Sequence, residues 1–427
     1  MNKHIRFWMW SLLSLTHIIA HFHRLSLNVL ADSLMADFNL SGATMGNLAA
    51  AYSYTYLLML VPGGLFVDKF GSRRSAFLIT FLMGAGALIF GTSNSIFSLF
   101  VGRLLIGFGA SVVLINMMKF QSEWYSTDEF ATMNGMAIFI GSIGSVIATF
   151  PLAYLLNFAT WRSISTVAGI ISISLALACF IWIKDHPEKL EASGISGEKV
   201  NRLRVTIPVG EMFKTALSNK YLWMLFFINF GIYGGYLTFS GAWGVTYLMQ
   251  VYELTRQQAS LYVMPAAAGA MFGAPLAGYI SDKLGRRRLI IFMGALLFWL
   301  NLALLAVVFG GKPPLFLIYL ISFNLGVSVS ATMLSLTSAK EKSSSNLVAT
   351  ASGFVNMGNF VGAAFLQIIF GFILQLGWQG TFDGDVPLFP LSAFVNAFYF
   401  CLLIAAVSVV MNFILRKHAN NSRKISL

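Results

Sequence analysis

Twelve apolar runs of about twenty residues recur along this 427-residue chain, with short polar gaps between them. A helix needs about 20 consecutive apolar residues to cross a bilayer. A membrane β-barrel would instead show alternating segments of about ten residues, so the runs predict an all-α membrane protein with twelve transmembrane helices. The predicted spans are residues 7–30, 43–67, 75–93, 97–120, 131–155, 163–183, 221–249, 259–280, 289–310, 315–337, 347–375 and 391–415.

The charged residues predict how these spans are oriented. The net charge is +12, and 23 of the 28 Lys and Arg fall on one side of the membrane if both termini are cytoplasmic. Positive loops stay on the inner side, so we expect cytoplasmic termini in a plasma membrane, such as a bacterial inner membrane. The basic residues occupy gaps between spans, which argues against nucleic-acid binding.

One gap is much longer than the others and predicts the domain boundary. Residues 184–220 contain seven Lys and Arg with Gly and Ser between them. We interpret this gap as a cytoplasmic linker. It would separate an N-terminal six-helix bundle, residues 1–183, from a C-terminal six-helix bundle with a short cytoplasmic tail, residues 221–427.

The two predicted bundles repeat each other. The stretch "GGLFVDKFGSRR" follows the second span and "AGYISDKLGRRR" follows the eighth, with Asp68 and Asp282 214 residues apart. A second repeat has an offset of 218 and pairs Ala131, Thr132, Gly135 and Gly144 with Ala349, Thr350, Gly353 and Gly362. Two repeats at nearly one offset indicate parallel copies related by an axis along the membrane normal.

The duplicated loop resembles the signature loop of the major facilitator superfamily, G-x-x-x-D-K/R-x-G-x-R-R. Ser72 departs from the family pattern, which has a basic residue there. A second family signature, R-x-x-x-G-x-G in the fourth span, is matched by Arg103, Gly107 and Gly109. The matching loop residues are Gly64, Asp68, Lys69, Gly71, Arg73 and Arg74 in one copy, and Gly278, Asp282, Lys283, Gly285, Arg286, Arg287 and Arg288 in the other.

This resemblance implies two pseudo-symmetric six-helix bundles and transport by alternating access, with a central cavity lined by helices 1, 4, 7 and 10. We interpret the two loops as gating elements, in which Gly allows close helix approach and Asp accepts hydrogen bonds from a neighbouring helix. The alternative is that their Lys and Arg only fix the topology. Arg103 matches a signature sometimes linked to proton movement, and a purely structural role is its alternative.

Helix 1 carries the most unusual polar stripe. His17, His21, Arg24 and Asn28 share one helical face. An Arg near the bilayer centre costs at least about 2.5–3.5 kcal/mol on insertion scales, so Arg24 must face water, a partner or a ligand. We expect no carboxylate in the middle of any span, since Asp and Glu fall in loops or at helix ends. The hypothesis is that Arg24 binds an anionic group of the substrate. The alternative is that it reaches the outer surface or helix-end carbonyls.

Helix 7 carries a second stripe of aromatic and polar residues. Its spacing predicts a face that lines a cavity, and ordinary interhelix packing is the alternative. Asn324 adds a polar side chain in helix 10. The candidate substrate-binding residues are His21, Arg24, Asn28, Asn229, Tyr233, Tyr236, Trp243 and Asn324.

Transport must be driven by a gradient or be passive, because the sequence contains no nucleotide-binding motif. His17 and His21 are the candidate proton-coupling residues, since His titrates near neutral pH. Neutral, hydrogen-bonding histidines are the alternative. Cys179 and Cys401 lie in apolar runs, so we expect neither a metal site nor a cofactor.

These observations predict a secondary transporter, not an enzyme, for a small polar metabolite: an organic anion, an amino acid or a short peptide. Proton symport is one mode of coupling for it. An efflux carrier for a drug or siderophore is the alternative, and a membrane sensor or receptor is the alternative outside carriers. The resemblance to the superfamily implies a Gly-Pro pair in helix 5 for drug–proton antiporters, and its absence here favours uptake or facilitated passage. The expected partners are the substrate, protons and membrane lipids, and we expect a monomer.

Overall fold

A computed structural model describes residues 3–60, 62–185, 215–343 and 348–424, and these residues are almost entirely helical. Ten helices of this part of the chain are long and apolar enough to cross a membrane, which supports the predicted all-α membrane fold. Most of the predicted linker, residues 186–214, lies outside the described residues. The helices are α1 (Lys3–Phe38), α2 (Gly42–Met59), α3 (Pro62–Gly91), α4 (Ile96–Trp124), α5 (Thr127–Ile147), α6 (Phe150–Leu155), α7 (Trp161–Trp182), α8 (Lys220–Thr238), α9 (Gly244–Tyr252), α10 (Arg256–Leu284), α11 (Arg287–Ala303), α12 (Leu315–Ser328), α13 (Ser330–Glu341), α14 (Val348–Gly377) and α15 (Leu391–Lys424).

Several predicted spans consist of two helical pieces. Helix 7 combines α8 and α9 through a π-helical turn, Phe239–Trp243, and Leu304–Val308 forms a second π-helical turn after α11. Helix 10 combines α12 and α13, which meet at Val329. A two-stranded antiparallel hairpin, β1 (Phe382–Asp383) and β2 (Val386–Pro387), precedes α15.

Side-chain caps fix where several helices begin. In α5 the Ser126 hydroxyl accepts from the Glu129 amide, while the Glu129 carboxylate accepts from the Ser126 amide. Thr255 and Gln258 form the same reciprocal pair at the start of α10. Each pair satisfies two amides that have no partner inside the helix, so these starts are set by local sequence.

Helix α1 extends eight residues beyond the predicted span 7–30, and this corrects one expectation. No Gly or Pro follows Arg24 before Phe38, and the helix ends where Asn39 adopts a left-handed conformation with φ 49°. Asp32 therefore lies inside α1 and is only 5% exposed. The expectation that Asp and Glu fall only in loops or at helix ends was wrong for Asp32.

Predicted span 2, residues 43–67, is divided between two helices. Helix α2 ends at Met59 and α3 begins at Pro62, and proline suits the first turn of a helix because it lacks an amide hydrogen. Helix α3 then bends at Gly71, which has φ 76° and ψ 170°. The segment Pro62–Phe70 thus leads from the second span into the signature loop.

The two halves, residues 3–185 and 215–424, pack together at one end of the molecule. We call the end with Asp37 and Gly42 the far end, and the end with Asp68 and Asp282 the terminal end. At the far end, the Gly42 amide donates to the Gln375 side chain across the halves at 3.0 Å. At the terminal end a Cβ atom added to any of four glycines would meet nothing within 4 Å; these are Gly64, Gly135, Gly278 and Gly353. The far end is therefore closed, and these repeated positions face open space.

Candidate substrate-binding site

A cavity of about 80 Å³ lies between the two halves near the middle of the helices. Helices α1 and α5 contribute one side, and α8, α10 and the junction of α12 with α13 contribute the other. The polar side chains that line it are His21, Arg24, Ser142, Ser145, Tyr233, Tyr236 and Ser330. Of the candidate substrate-binding residues, His21, Arg24, Tyr233 and Tyr236 are therefore brought together around one space.

Arg24 is held in this cavity by three tyrosines from both halves. Its Nη1 donates to the Tyr233 hydroxyl at 3.1 Å, and its Nε donates to the Tyr52 hydroxyl at 3.3 Å. The guanidinium carbon lies 5.4 Å from the centroid of the Tyr56 ring, within cation–π range. In the part of the chain that the structure describes, no Asp or Glu pairs with Arg24. The guanidinium is positioned at the cavity with its positive charge unneutralised.

The two candidate proton-coupling histidines are adjacent, but only one reaches the cavity. The imidazole rings of His17 and His21 are perpendicular, with centroids 4.7 Å apart. His21 lies 3.1 Å from the Ser145 hydroxyl and lines the cavity. The Nδ1 of buried His17 is 3.0 Å from the Ala137 carbonyl oxygen, which only accepts, so this nitrogen carries the hydrogen.

Asn28 joins the halves beyond the cavity. Its Nδ2 donates to the carbonyls of Phe239 at 3.3 Å and Ser240 at 2.9 Å, and its Oδ1 accepts from the Val245 amide at 3.1 Å. All three partners belong to the π-helical turn of helix 7 or follow it directly. The opposite half thus bonds the backbone of this turn, where the Phe239 carbonyl also accepts from the Gly244 amide. Asn28 therefore connects the two halves on the far side of the cavity, and it is not among the described residues that line the cavity.

Three other candidate substrate-binding residues lie away from the cavity. Asn229 is fully buried, and its Nδ2 is 3.4 Å from the Val355 carbonyl on α14. Trp243 is also buried, with its ring stacked on that of Phe370 in α14. Asn324 donates to the Asn301 side chain in α11 at 3.4 Å. The structure thus places Asn229, Trp243 and Asn324 in interhelix contacts.

The repeated glycines of the signature loops have a backbone reason. Gly71 and Gly285 occupy equivalent positions in the two copies, and both have positive φ, 76° and 59°. Side chains with a Cβ atom rarely adopt this conformation, so glycine is required where each chain turns into the next helix. Gly64 and Gly278 have helical conformations and face the open terminal end.

The charged residues of the two loops pair within their own half. Asp68 is 3.4 Å from Lys119 of α4, and Asp282 is 2.9 Å from Arg287, which also bonds Glu341 of α13 at 2.6 Å. The Arg73 side chain donates to the Phe180 carbonyl at 2.6 Å. Three of the remaining basic residues lie over aromatic rings: Lys69 over Phe70, Lys283 over Tyr279 and Arg288 over Tyr221. Arg74 is exposed, and Arg286 directly precedes α11.

Arg103 lies behind the cavity wall in the first half. Its Nη1 donates to the His23 carbonyl at 2.8 Å, and its guanidinium lies 5.3 Å from the centroid of the Tyr52 ring. The Tyr52 hydroxyl also accepts a hydrogen bond from Arg24. Arg103 therefore supports α1 and Tyr52 beside the cavity rather than lining the cavity itself.

Sequence reasoning missed the tyrosines of α2 and the acid in α1. Tyr52 and Tyr56 are spaced by one helical turn, a signal visible in "AYSYTYLL". Asp32 accepts from the Thr246 hydroxyl at 2.9 Å across the halves. In the same region Arg256 donates to Ser33 at 2.9 Å. These residues add two further polar contacts between the halves at the far end.

Comparison with known proteins identifies the family. The family model of the Major Facilitator Superfamily matches residues 13–367. The chain belongs to the major facilitator superfamily. Its relatives in this superfamily are transporters, which makes the chain a transporter integral to a membrane.

Individual members of the superfamily resemble this chain at low identity. "Probable sulfoacetate transporter SauU" of Cupriavidus necator is 24% identical over 386 residues, covering 86% of this chain and 87% of the relative. "Probable galactarate/D-glucarate transporter GarP" of Escherichia coli is 28% identical over 312 residues, covering 67% and 69%. A solved bacterial homolog of the human lysosomal transporter Spinster, inward-facing and occupied, superposes with a TM-score of 0.77 at 17% identity over 98% of both chains. That structural likeness shows the shared fold.

Proposed function

We propose that this transporter carries a small organic anion across the membrane by alternating access, with the Arg24 guanidinium binding the anionic group. The observation that carries the proposal is a cation in the cavity between the halves whose partners are tyrosines. Guanidinium groups bind carboxylate, sulfonate and phosphate groups through paired hydrogen bonds. Tyrosine holds the guanidinium in place without neutralising the charge that an anion needs.

Two further observations favour an organic anion over an amino acid or peptide. Matched relatives are named for sulfoacetate, hexose phosphate, galactarate or glucarate, and galactonate, all of which carry an acidic group. Among the described residues that line the cavity, none is Asp or Glu. An ammonium group buried there would have no opposite charge to offset its desolvation.

The closed far end and open terminal end supply the conformational part of the proposal. With the termini in the cytoplasm of a bacterial cell, this state opens its cavity inward. The opposite state would close the terminal end, where the glycines at 64, 135, 278 and 353 leave room for helix approach. The ion pairs of Asp68 and Asp282 would then change partners between states, which is the gating role we assign to the signature loops.

Proton coupling is assigned to His21, with His17 as its neighbour. His21 is the titratable side chain that both lines the cavity and lies one turn from Arg24. Replacement of both histidines by Gln should abolish the stimulation of uptake by an inward proton gradient, with uptake by each protein expressed relative to its own counterflow rate. Equal stimulation in the double variant and the parent protein would remove this assignment.

The anion-binding role of Arg24 is tested by counterflow of candidate organic acids in proteoliposomes. Arg24→Lys keeps the charge but loses the paired donors, and we expect a loss of affinity of about tenfold or more, from one or two charge-assisted hydrogen bonds. Arg162→Lys is the matched control, since Arg162 pairs with Asp37 at the exposed far end. Unchanged affinity in Arg24→Lys, with both variants folded, would refute the proposal.

A further inference from the structure

The number and sign of the charged side chains around the cavity restrict which substrates can bind more narrowly than the presence of Arg24 alone. Among the described side chains around it, Arg24 is the one that carries a permanent positive charge, and there is no acidic residue. Two other cations of the first half, Lys119 and Arg103 of α4, are engaged with Asp68 and with the His23 carbonyl. One guanidinium can neutralise one anionic group, so a second anionic group would lie in the cavity unpaired.

The three serine hydroxyls that line the cavity have partners inside the protein. Ser142 donates to the Ile138 carbonyl at 2.9 Å and Ser330 donates to the Val327 carbonyl at 2.6 Å. Ser145 lies 3.1 Å from a His21 ring nitrogen. These serines therefore offer few free donors, and the other hydroxyl groups of the cavity are the phenols of Tyr233, which accepts from Arg24, and Tyr236. A polyhydroxylated substrate would have more hydroxyl groups than these side chains can pair.

The wall contributed by α10 has no hydrogen-bonding side chains. Ala267, Ala270 and Ala274 are spaced by three and four residues, so they share one face of the helix and all line the cavity. Met333 of α13 borders the same space. Such a surface binds a hydrocarbon body and leaves polar groups unsatisfied.

The volume sets the size of the body that fits. An apolar cavity of about 150 Å³ holds benzene, with its six carbons, which corresponds to about 25 Å³ for each non-hydrogen atom. The 80 Å³ space therefore accommodates about three or four non-hydrogen atoms in this conformation, which favours a short hydrocarbon body. A whole acid of six non-hydrogen atoms also needs room on the side of the open terminal end.

From these observations we infer that the substrate is a compact monoanion with an apolar body: its single anionic group is bound by Arg24, and its hydrocarbon part lies against Ala270 and Ala274. This inference rests on the proposed function, because it assumes that Arg24 binds the substrate. It distinguishes this chain from relatives named for hexose phosphate or glucarate, since those compounds combine several hydroxyl groups with two negative charges.

The test measures binding of matched acids to the purified full-length protein in detergent by titration calorimetry near neutral pH. Butyrate, succinate and 3,4-dihydroxybutyrate share a four-carbon chain and differ by one carboxylate or two hydroxyl groups. We expect butyrate to bind at least about thirtyfold more tightly than succinate, the cost of leaving one charge unpaired. Glucose 6-phosphate completes the panel as a polyhydroxylated dianion.

A cation added to the alanine wall should change this preference. Ala270→Lys supplies a partner for the second carboxylate, so we expect the ratio of succinate to butyrate affinity to rise by at least about tenfold. Ala270→Leu fills the same space without charge and should weaken every acid of the panel. Melting temperatures show whether each variant is folded, and the comparison of acids in the parent protein stands without either variant.

The outcomes separate this inference from the proposed function. Preference for butyrate that is lost in Arg24→Gln supports both. If succinate or glucose 6-phosphate binds as tightly as butyrate, and Arg24→Gln abolishes that binding, the monoanion inference is overturned while anion transport stands. If no acid of the panel binds, or if binding persists in Arg24→Gln, both the inference and the proposed function fail.

Discussion

Replacing Asn28 by Leu should open the far end of the transporter. The Asn28 side chain makes three hydrogen bonds to backbone groups of helix 7, all between the two halves. Each is worth about 0.5–1.5 kcal/mol net, so together they stabilise the closed far end by about 1.5–4.5 kcal/mol. Because these bonds break when the halves separate there, their loss should shift the ratio of closed to open far ends by about tenfold or more.

The shift can be measured as a distance between spin labels at the far end. Asn94 and Asp383 are exposed there, one in each half, and both native cysteines are buried, which confines labelling to introduced cysteines. The double electron–electron resonance distribution of Asn28→Leu should gain a population at longer distance. Asn412→Leu is the matched control, because buried Asn412 donates to the Ser408 carbonyl of its own helix and, among the described residues, to no group of the other half.

The distances in Asn412→Leu should match those of the parent protein. This control shows that removing a buried amide does not by itself open the far end, so an effect of Asn28→Leu comes from the lost contact between the halves. If Asn28→Leu remains folded and its distribution also matches the parent, Asn28 does not hold the halves together and the reasoning is refuted.

Three further predictions concern the far end, the terminal end and the N-terminus. Thr246→Val leaves the buried carboxylate of Asp32 without its hydroxyl donor, and should lower the stability of the closed state by about 1–3 kcal/mol, measured as a lower melting temperature. The hydrogen bonds from Arg6 and from the Ser126 backbone lower the pKa of Glu129 from 4.5 to about 2. Because the folded pKa is depressed, the stabilisation is present above pH 4.5 and lost as the pH falls towards 2, so Glu129→Gln should lower the melting temperature near neutral pH and leave it equal to the parent's near pH 2. Gly278→Leu meets open space in this conformation and should preserve folding and substrate binding, but it should slow transport by obstructing closure of the terminal end; undiminished transport would contradict the gating role of that face.

The fold can be predicted well from the sequence, because the length of each apolar run marks a span and the charged residues between the runs indicate its orientation. The duplicated loops identify the family, and the positive φ angles of Gly71 and Gly285 explain why glycine recurs there. The end of α1 could have been found from the absence of Gly or Pro before Asn39. That signal would also have placed Asp32 inside a helix.

The site is predicted only in part, because a stripe on one helix meets different neighbours along its length. Tyr233 and Tyr236 face the cavity, whereas Asn229, one turn earlier, contacts α14. The π-helical turn Phe239–Trp243 then rotates the rest of the stripe, and Trp243 packs into the core. Helical spacing alone reveals neither the tilt of a helix nor a π-helical turn.

The central claim is that Arg24 binds an anion between the halves, and anomalous diffraction tests it most directly. Dimethylarsinate is a compact monoanion with two methyl groups, and its arsenic atom can be located without ambiguity. Crystals soaked in it should show an arsenic peak beside Arg24, in the space lined by Tyr233 and Ala270, and the peak should be absent from Arg24→Gln crystals. A peak that persists in Arg24→Gln, or that occurs only at exposed cations such as Lys312, would contradict the account.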